Sequence, residues 1–218
     1  MKAMLLAAGY GKRLNTLTKK HPKPLLKVQG EQSLIDYHLA HLAKAGIKEC
    51  VINVSHLGHL IQEYVGDGSR YGLTVAYSVE ETPLETGGGI KKALPLLGQE
   101  AFIVISADIW CDYPFQKLTA PKELAHLLLN DRLPNTQGDF ALCEDFVSCY
   151  GRNKLNYVGI SVLRPELFKD TTATTFPLID LWRPACSQGL VSGEYHSGLW
   201  FNVGDMATLK QIRRYPLY

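Results

Sequence analysis

The sequence predicts an α/β fold with a Rossmann-like, mostly parallel sheet and helices on both faces. Short, continuously apolar runs alternate with helical patterns through the first half of the chain, as buried parallel strands and their crossover helices require. The 218 residues are enough for one substantial core, and 46% hydrophobic with 20% charged residues is ordinary for a globular enzyme.

The first half alternates strands with helices in order. Apolar runs predict buried strands at residues 3–8, 50–54, 73–79 and 101–106. Helical patterns between them predict helices at residues 34–42, 56–65 and 88–97. Ser33 is the expected N-cap of the first helix, and the expected stops are Gly46, Gly66 and Gly98. In such a sheet, ligands bind beyond the carboxyl ends of the strands.

The second half is less regular. Residues 118–145 contain short apolar runs separated by turn clusters. Beyond them, the patterns predict strands at residues 158–163, 190–195 and 199–203, and helices at residues 176–188 and 206–213. Neither an internal repeat nor a low-complexity linker divides the sequence, so we expect a single domain.

Composition argues against several classes of protein. A net charge of +2 gives no support for a nucleic-acid partner. The five cysteines are odd in number and show no C-x-x-C spacing, so we expect a reducing cytoplasm rather than a disulfide framework or a zinc site. No run reaches the ~18 apolar residues of a membrane helix, and Gly9 interrupts the N-terminal apolar run where a signal peptide would continue. The oligomeric state is not indicated.

The most informative segment is a glycine loop after the first strand. The apolar run ends at Gly9 and Gly11, Arg13 follows, and Lys23 stands between two prolines. Glycines let backbone N–H groups turn toward an anion, arginine offers a planar fork for phosphate oxygens, and lysine adds a compact charge. The spacing therefore predicts a polyphosphate-binding loop, although a G-x-G after a strand is commonly only a turn.

Two other phosphate-binding motifs fit this loop poorly. Leu14 stands where a dinucleotide-binding loop has its third glycine, and the second strand ends in Asn53-Val54-Ser55 without a suitable acidic residue. The loop also lacks the Gly-Lys-Ser/Thr ending of a P-loop. A dinucleotide-dependent oxidoreductase is therefore a disfavoured alternative.

The loop is part of a longer pattern. Residues 6–14, L-A-A-G-x-G-x-R-L, followed by P-K-P-L at 22–25, resemble the signature of sugar-1-phosphate nucleotidyltransferases. The resemblance covers essentially the whole chain and implies the nucleotide-diphospho-sugar transferase type of fold. It implies catalytic roles for Arg13, Lys23 and Asp108. The residues implied to bind the triphosphate are Ala7, Ala8, Gly9, Gly11, Arg13 and Lys23.

Three further segments extend the resemblance. Residues 81–89 resemble the loop on the base side of the nucleotide, residues 157–160 a strand of the sugar pocket, and residues 199–204 a late W-x-D-x-G motif. The first implies nucleotide binding by Glu85, Thr86, Gly87 and Gly88, although a flexible turn is the alternative. The implied sugar-binding residues are Asp139, Gly159 and Asn202. The expected domain then has a nucleotide-binding half, residues 1–112, and a sugar-binding half, residues 113–218.

A magnesium ion is the implied cofactor. Asp108 follows the fourth predicted strand. At phosphate-binding sites, Mg²⁺ usually has only one or two ligands from the protein, and the other ligands are phosphate oxygens and water. Asn202 stands where the family pattern has a second aspartate, so the implied ligands are Asp108 and Asn202. Asp205 is an alternative carboxylate ligand, but we favour it as the cap of the following helix.

The resemblance implies a reaction in which a nucleoside triphosphate and a sugar 1-phosphate give a nucleotide-sugar and pyrophosphate. The most similar subfamily is that of the bacterial N-acetylmuramate-1-phosphate uridylyltransferases of cell-wall recycling, which implies UTP and N-acetylmuramic acid 1-phosphate as substrates. A glucose- or mannose-1-phosphate nucleotidyltransferase stays open as an alternative. A nucleotide-binding protein that has lost turnover is another, because Asn202 replaces a charged ligand.

Overall fold

The structure is a computed structural model that describes residues 1–11, 21–131 and 137–215. The strands in these ranges are β1 (Lys2–Leu6), β2 (Lys27–Gln29), β3 (Gln32–Ser33), β4 (Glu49–Val54), β5 (Thr74–Val79), β6 (Phe102–Ser106), β7 (Ile109–Cys111), β8 (Ala125–Asn130), β9 (Ala141–Cys143), β10 (Phe146–Ser148), β11 (Asn156–Leu163), β12 (Val191–Tyr195) and β13 (Trp200–Asn202). The α-helices are α1 (Leu34–Lys44), α2 (Gly58–Val65), α3 (Glu85–Leu97), α4 (Ile179–Ser187) and α5 (Met206–Ile212). Short 3-10 helices occur at Lys23–Leu25, Ser69–Tyr71, Phe115–Lys117 and Pro165–Phe168.

A nine-stranded mixed sheet organises the fold in the order β5-β4-β1-β6-β11-β8-β12-β10-β9. The first four strands are parallel neighbours, and β8 pairs in parallel with β12. β11 lies antiparallel between β6 and β8, and β9 and β10 form an antiparallel edge. The predicted Rossmann-like, mostly parallel sheet is confirmed.

Helices cover both faces of the sheet, as predicted. Alternate residues of β1 point to opposite faces, as the pleat of a strand requires. Leu5 packs in the cluster that contains residues of α1 and α2. Met4 packs in the other cluster with residues of α3 and α4. The parallel half of the sheet is thereby buried on both sides, which explains its continuously apolar strands.

The sequence located the helix boundaries of the first half to within about three residues. Ser33 caps α1 through a capping box with Asp36, as expected of this residue type. α3 begins at Glu85 rather than at residue 88, and α4 begins after Leu178 rather than at residue 176. The earlier start of α3 places Gly87 inside the helix together with Gly88 and Gly89, which the prediction already included.

Two features of the second half were not predicted. The apolar run within residues 118–145 is β8, an interior strand of the main sheet, whose partners β11 and β12 come later in the chain. The strand predicted at residues 199–203 does not join the main sheet. It is β13, which pairs with β7 in a separate two-stranded ribbon. In that ribbon Asn202 is opposite Ile109, and the Val203 N–H donates to the carbonyl of Asp108 at 2.8 Å.

Within the described part of the chain, no helix combines the length and the apolar character needed to cross a bilayer. The five cysteines, all within the described residues, are free thiols.

Candidate active site

Two adjoining cavities open where the parallel strands end. The first has a volume of about 230 Å³ and lies between the glycine loop, the 3-10 helix at Lys23 and the start of α3. The second, of about 270 Å³, lies between β11, the start of α4 and the β7–β13 ribbon. Both cavities are lined by Leu6, Thr86, Ser106 and Asp108. A ligand in one cavity therefore lies next to a ligand in the other.

The described part of the glycine loop forms one wall of the first cavity. Ala7, Ala8, Gly9 and Gly11 line it. Gly11 has a φ of +63°, a left-handed conformation that favours glycine. Arg13 lies outside the described residues, so its role in phosphate binding stays a prediction.

Lys23 and Asp108 form an ion pair at the junction of the two cavities. Pro22 has a φ of −63° and precedes a 3-10 helix that begins at Lys23 and turns this side chain inward. The Lys23 Nζ atom lies 2.9 Å from Asp108 Oδ2, and the side chains are 8% and 34% exposed. The nearly buried ammonium is thereby compensated by a carboxylate, and the partly exposed carboxylate keeps contact with the cavities.

Of the predicted nucleotide-binding residues in the segment 81–89, two line the first cavity and two do not. Glu85 and Thr86 line the first cavity, and Glu85 has a φ of +60°, which is uncommon for a residue with a side chain. Gly87 and Gly88 are absent from the described lining of both cavities. Their N–H groups donate to the carbonyl of Phe176, at 2.9 and 3.1 Å, and a Cβ on Gly87 would lie 2.3 Å from the Phe176 ring. Close packing explains these glycines, and nucleotide binding by them stays a prediction.

Two of the three predicted sugar-binding residues line the second cavity, and the third does not. Gly159 lines the second cavity at a bulge of β11, with a φ of +89°. Asn202 lines it from the ribbon. Asp139 is absent from the described lining; its Oδ2 accepts a hydrogen bond from the Tyr157 N–H at 2.8 Å and so supports β11 at this end. Sugar binding by all three stays a prediction.

Asn202 and Asp108 each bring an oxygen-bearing side chain to the second cavity. The Asn202 Oδ1 atom is buried and has no hydrogen-bond partner among the described residues. A buried oxygen without a donor is costly unless a ligand satisfies it. Together with the Asp108 carboxylate it fits a hard cation such as Mg²⁺. Asp205 caps α5 instead, accepting from the Thr208 N–H at 2.8 Å.

The second cavity has a largely apolar wall. Pro177, Leu178, Ile179 and Trp182 from the start of α4 line it, and Trp200 faces it from the ribbon. Tyr157 also lines it, and burial raises the pKa of this phenol, which stays neutral and donates to Ser161 Oγ at 3.0 Å. Such a wall suits the apolar faces of a small ligand.

Sequence reasoning did not identify several lining residues. Asn53 and Glu80 line the first cavity although both are 3% exposed, and Trp182 belongs to the second. The available signal was a polar residue near the end of each of two buried strands, Asn53 within β4 and Glu80 directly after β5. A buried polar side chain at that edge of an α/β sheet indicates either ligand binding or support of the site.

Comparison with known proteins gives consistent matches. A model of the nucleotidyl transferase family matches residues 2–125. An N-acetylmuramate alpha-1-phosphate uridylyltransferase of Neisseria meningitidis is 43% identical, over 98% of this chain and 97% of that protein. The protein of the same description from Caulobacter vibrioides is 32% identical, over 93% and 91%. The crystal structure of a provisional glucose-1-phosphate thymidylyltransferase from Bacillus anthracis superimposes with a TM-score of 0.87 at 20% identity, covering 98% of this chain and 94% of that one.

Proposed function

Because this chain belongs to the nucleotidyl transferase family and is a sugar-1-phosphate nucleotidyltransferase, we propose that it transfers a uridylyl group from UTP to N-acetylmuramic acid 1-phosphate. The proposal depends on one observation above all: two cavities meet at the Lys23–Asp108 pair. The full-length similarity to two uridylyltransferases supports this choice of substrates.

The reaction requires no protein nucleophile. A phosphate oxygen of the sugar 1-phosphate attacks the α-phosphorus of UTP, the bond from that phosphorus to the bridging oxygen breaks, and pyrophosphate leaves with the electron pair. Catalysis then consists of positioning the two substrates and neutralising the charge that builds on the phosphates.

The described residues divide this work between them. The glycine loop holds the β- and γ-phosphates in the first cavity, with Arg13 as the proposed partner outside the described residues. Lys23 neutralises charge at the α-phosphate, because its ammonium lies where the cavities meet. Glu85 and Thr86 face the nucleoside. We assign residues 1–112 mainly to the nucleotide and 113–218 to the sugar, although the second cavity takes residues from both.

We propose Asp108 and Asn202 as the protein ligands of Mg²⁺. The unpartnered Asn202 Oδ1 and the Asp108 carboxylate support this assignment. When bound, the ion would supply positive charge to phosphate oxygens of both substrates. Because asparagine is neutral, we expect weaker metal binding than a pair of carboxylates would give.

The lining of the second cavity is also compatible with the proposed sugar. N-acetylmuramic acid carries an acetamido methyl group and a lactyl ether with a methyl group of its own, and the wall formed by the start of α4 with Trp182 and Trp200 offers apolar surface for these two methyl groups. The lactyl carboxylate is charged and must lie away from this wall, in contact with water or a polar group. Glucose and mannose 1-phosphates lack both substituents. The expected product, UDP-N-acetylmuramic acid, is a precursor for peptidoglycan, and we propose a cytoplasmic role in cell-wall recycling.

A substrate matrix tests the proposal. The four common nucleoside triphosphates are each combined with N-acetylmuramic acid, N-acetylglucosamine, glucose and mannose 1-phosphates, with Mg²⁺ or with EDTA, and pyrophosphate is measured. We expect the highest kcat/KM for UTP with N-acetylmuramic acid 1-phosphate. A preference for glucose or mannose 1-phosphate would refute the sugar assignment.

The replacement of a charged ligand by Asn202 favours a second candidate, a nucleotide-binding protein without turnover. UTP binding in calorimetry, together with no pyrophosphate from any pair of substrates, would establish it.

A further inference from the structure

A chain of three hydrogen bonds joins the two sides of the first cavity. The Ala7 N–H donates to Asn53 Oδ1 at 2.8 Å, and Asn53 Nδ2 donates to Glu80 Oε1 at 2.7 Å. The Leu84 N–H then donates to the other carboxylate oxygen, Glu80 Oε2, at 2.9 Å. The chain therefore runs from the glycine loop, across the ends of two strands, to the start of α3.

The polar groups of this hydrogen-bond network are buried, and they bond to each other and to the backbone. Asn53 and Glu80 are each 3% exposed, and a buried carboxylate is costly unless donors satisfy it. Each carboxylate oxygen of Glu80 receives one donor, and both ends of the Asn53 amide are engaged. Gly89 leaves the necessary space, since a Cβ there would lie 2.6 Å from Glu80 Oε1 and 2.8 Å from Asn53 Nδ2.

The two ends of the hydrogen-bond network, Ala7 and Leu84, lie where a bound nucleotide needs fixed geometry. Ala7 directly precedes Ala8 and Gly9 of the phosphate side. Leu84 directly precedes Glu85, whose φ of +60° must be held by its surroundings. One continuous hydrogen-bond network therefore connects the glycine-loop side of the first cavity to the backbone before α3.

We propose that Asn53 and Glu80 are positioning residues that preorganise the nucleotide site by coupling the glycine loop to the start of α3. This inference rests on the proposed function, since it takes the first cavity to bind the nucleoside triphosphate. It assigns the two side chains no direct chemical role, because their polar atoms hold the protein backbone and each other. Their loss weakens nucleotide binding rather than the chemical step.

Exchanging the amide of Asn53 and the carboxylate of Glu80 between the two positions tests the inference. In Glu80→Gln, the single amide oxygen can accept from Asn53 or from Leu84 but not from both, so one hydrogen bond is lost. In Asn53→Asp, two carboxylates face each other at hydrogen-bond distance. In the double variant Asn53→Asp/Glu80→Gln, the carboxylate introduced at position 53 accepts from the Ala7 N–H and from the amide introduced at position 80, whose oxygen accepts from Leu84. The double variant keeps all three hydrogen bonds and the total charge.

The measurements are the Kd of UTP by calorimetry, the KM of each substrate, kcat and Tm. We expect each single variant to raise the Kd and KM of UTP about tenfold or more, with the KM of the sugar 1-phosphate and kcat changed less than about threefold. The double variant returns the Kd of UTP to within about threefold of the native value. Glu63→Gln, which removes an exposed carboxylate of α2, is the matched control and binds UTP as the native protein does.

Three results would overturn the inference. Single variants with a lower Tm but native UTP affinity would show that the network serves stability alone. A folded double variant that still binds UTP weakly would show that hydrogen-bond connectivity is not what matters, and this variant decides the question if a single variant fails to fold. A native protein that binds no nucleoside triphosphate would instead refute the proposed function, and the inference with it.

Discussion

The Lys23 ammonium lies 2.9 Å from Asp108 Oδ2, although 85 residues separate the two in the sequence. Lys23 comes from a 3-10 helix that follows the glycine loop, and Asp108 from the turn between β6 and β7. Because β6 pairs directly with β1, the turn after β6 and the glycine loop after β1 lie at the same edge of the sheet. The pair thus links the wall of the first cavity to the wall of the second.

Loss of either member of this pair should abolish turnover. We expect Lys23→Met and Asp108→Asn each to lower kcat about 100-fold or more, because each removes charge from the position where phosphates react. Steady-state pyrophosphate release measures the effect, and circular dichroism checks the fold. Lys122→Met and Asp170→Asn, at exposed positions, serve as matched controls and keep native rates. Native rates in Lys23→Met would show that the cavity junction is not the reaction centre.

A carboxylate at position 202 should strengthen metal binding. In Asn202→Asp, a second negative charge joins Asp108, so we expect half-maximal activity at a several-fold lower Mg²⁺ concentration. The measurement is a Mg²⁺ titration of activity at saturating substrates, after removal of metal with EDTA. Asn202→Ala should raise the required concentration instead. Identical titration curves for all three proteins would contradict a metal-binding role for this side chain.

A side chain at position 159 should impair the sugar site selectively. Gly159 has a φ of +89°, and a Cβ would lie 3.1 Å from Ser106 Oγ and from Ile109 Cγ2, both in residues that line the second cavity. We expect Gly159→Ala to cost about 1–2 kcal/mol of stability and to raise the KM of the sugar 1-phosphate more than that of UTP. Gly189→Ala is the control, since Gly189 has a φ of +68° but borders open space among the described residues. Equal changes in both KM values would refute a sugar-specific effect.

Asp36 should make stability depend on pH in the acid range. Burial raises the pKa of this carboxyl group, but hydrogen bonds from Ser33, Tyr64 and Tyr71 outweigh burial, and the net pKa lies below its usual value. A group with a lowered folded pKa stabilises the protein above its unfolded pKa, about 4, and loses that contribution as the pH falls through the folded value.

We therefore expect Asp36→Asn to lower the free energy of unfolding by about 1–3 kcal/mol at pH 7, and the difference from the native protein to shrink below about pH 4. Urea denaturation at pH 7, 5 and 3.5 measures this difference. Asp170→Asn controls for a change of charge at an exposed position. A difference that stays constant across these pH values would show that the charged form of Asp36 is not the stabilising one.

The sequence predicted the architecture because its signals are local. Continuously apolar runs, the Ser33 cap and the glycine stops define elements within a few residues, and the edge where strands end then locates Gly9, Lys23 and Asp108. By contrast, β8 has no periodic pattern and owes its place to partners that come later in the chain. The local pattern predicted a strand over β13 but gave no sign of its partner, because β7 has only three residues and lies about 90 residues earlier in the chain.

The remaining differences between the predicted and the observed site depend on contacts between residues that are far apart in the sequence. Gly87 and Gly88 match a nucleotide-binding pattern, but only the positions of Phe176, next to Gly87, and Thr174, next to Gly88, show that packing requires them. Glu80 precedes a further acidic residue and resembles part of an exposed acidic turn. Its burial between Asn53 and the backbone of Leu84 is a tertiary property, which a pattern along the chain does not contain.

The pairing of β13 with β7 also bears on biosynthesis. During translation, Lys23 and Asp108 leave the ribosome long before Trp200 and Asn202 are made. A nascent chain therefore has one side of the pocket while the opposite side is still being synthesised. Substrate capture must wait until β13 has emerged, so translation products that stop before Trp200 have no complete pocket.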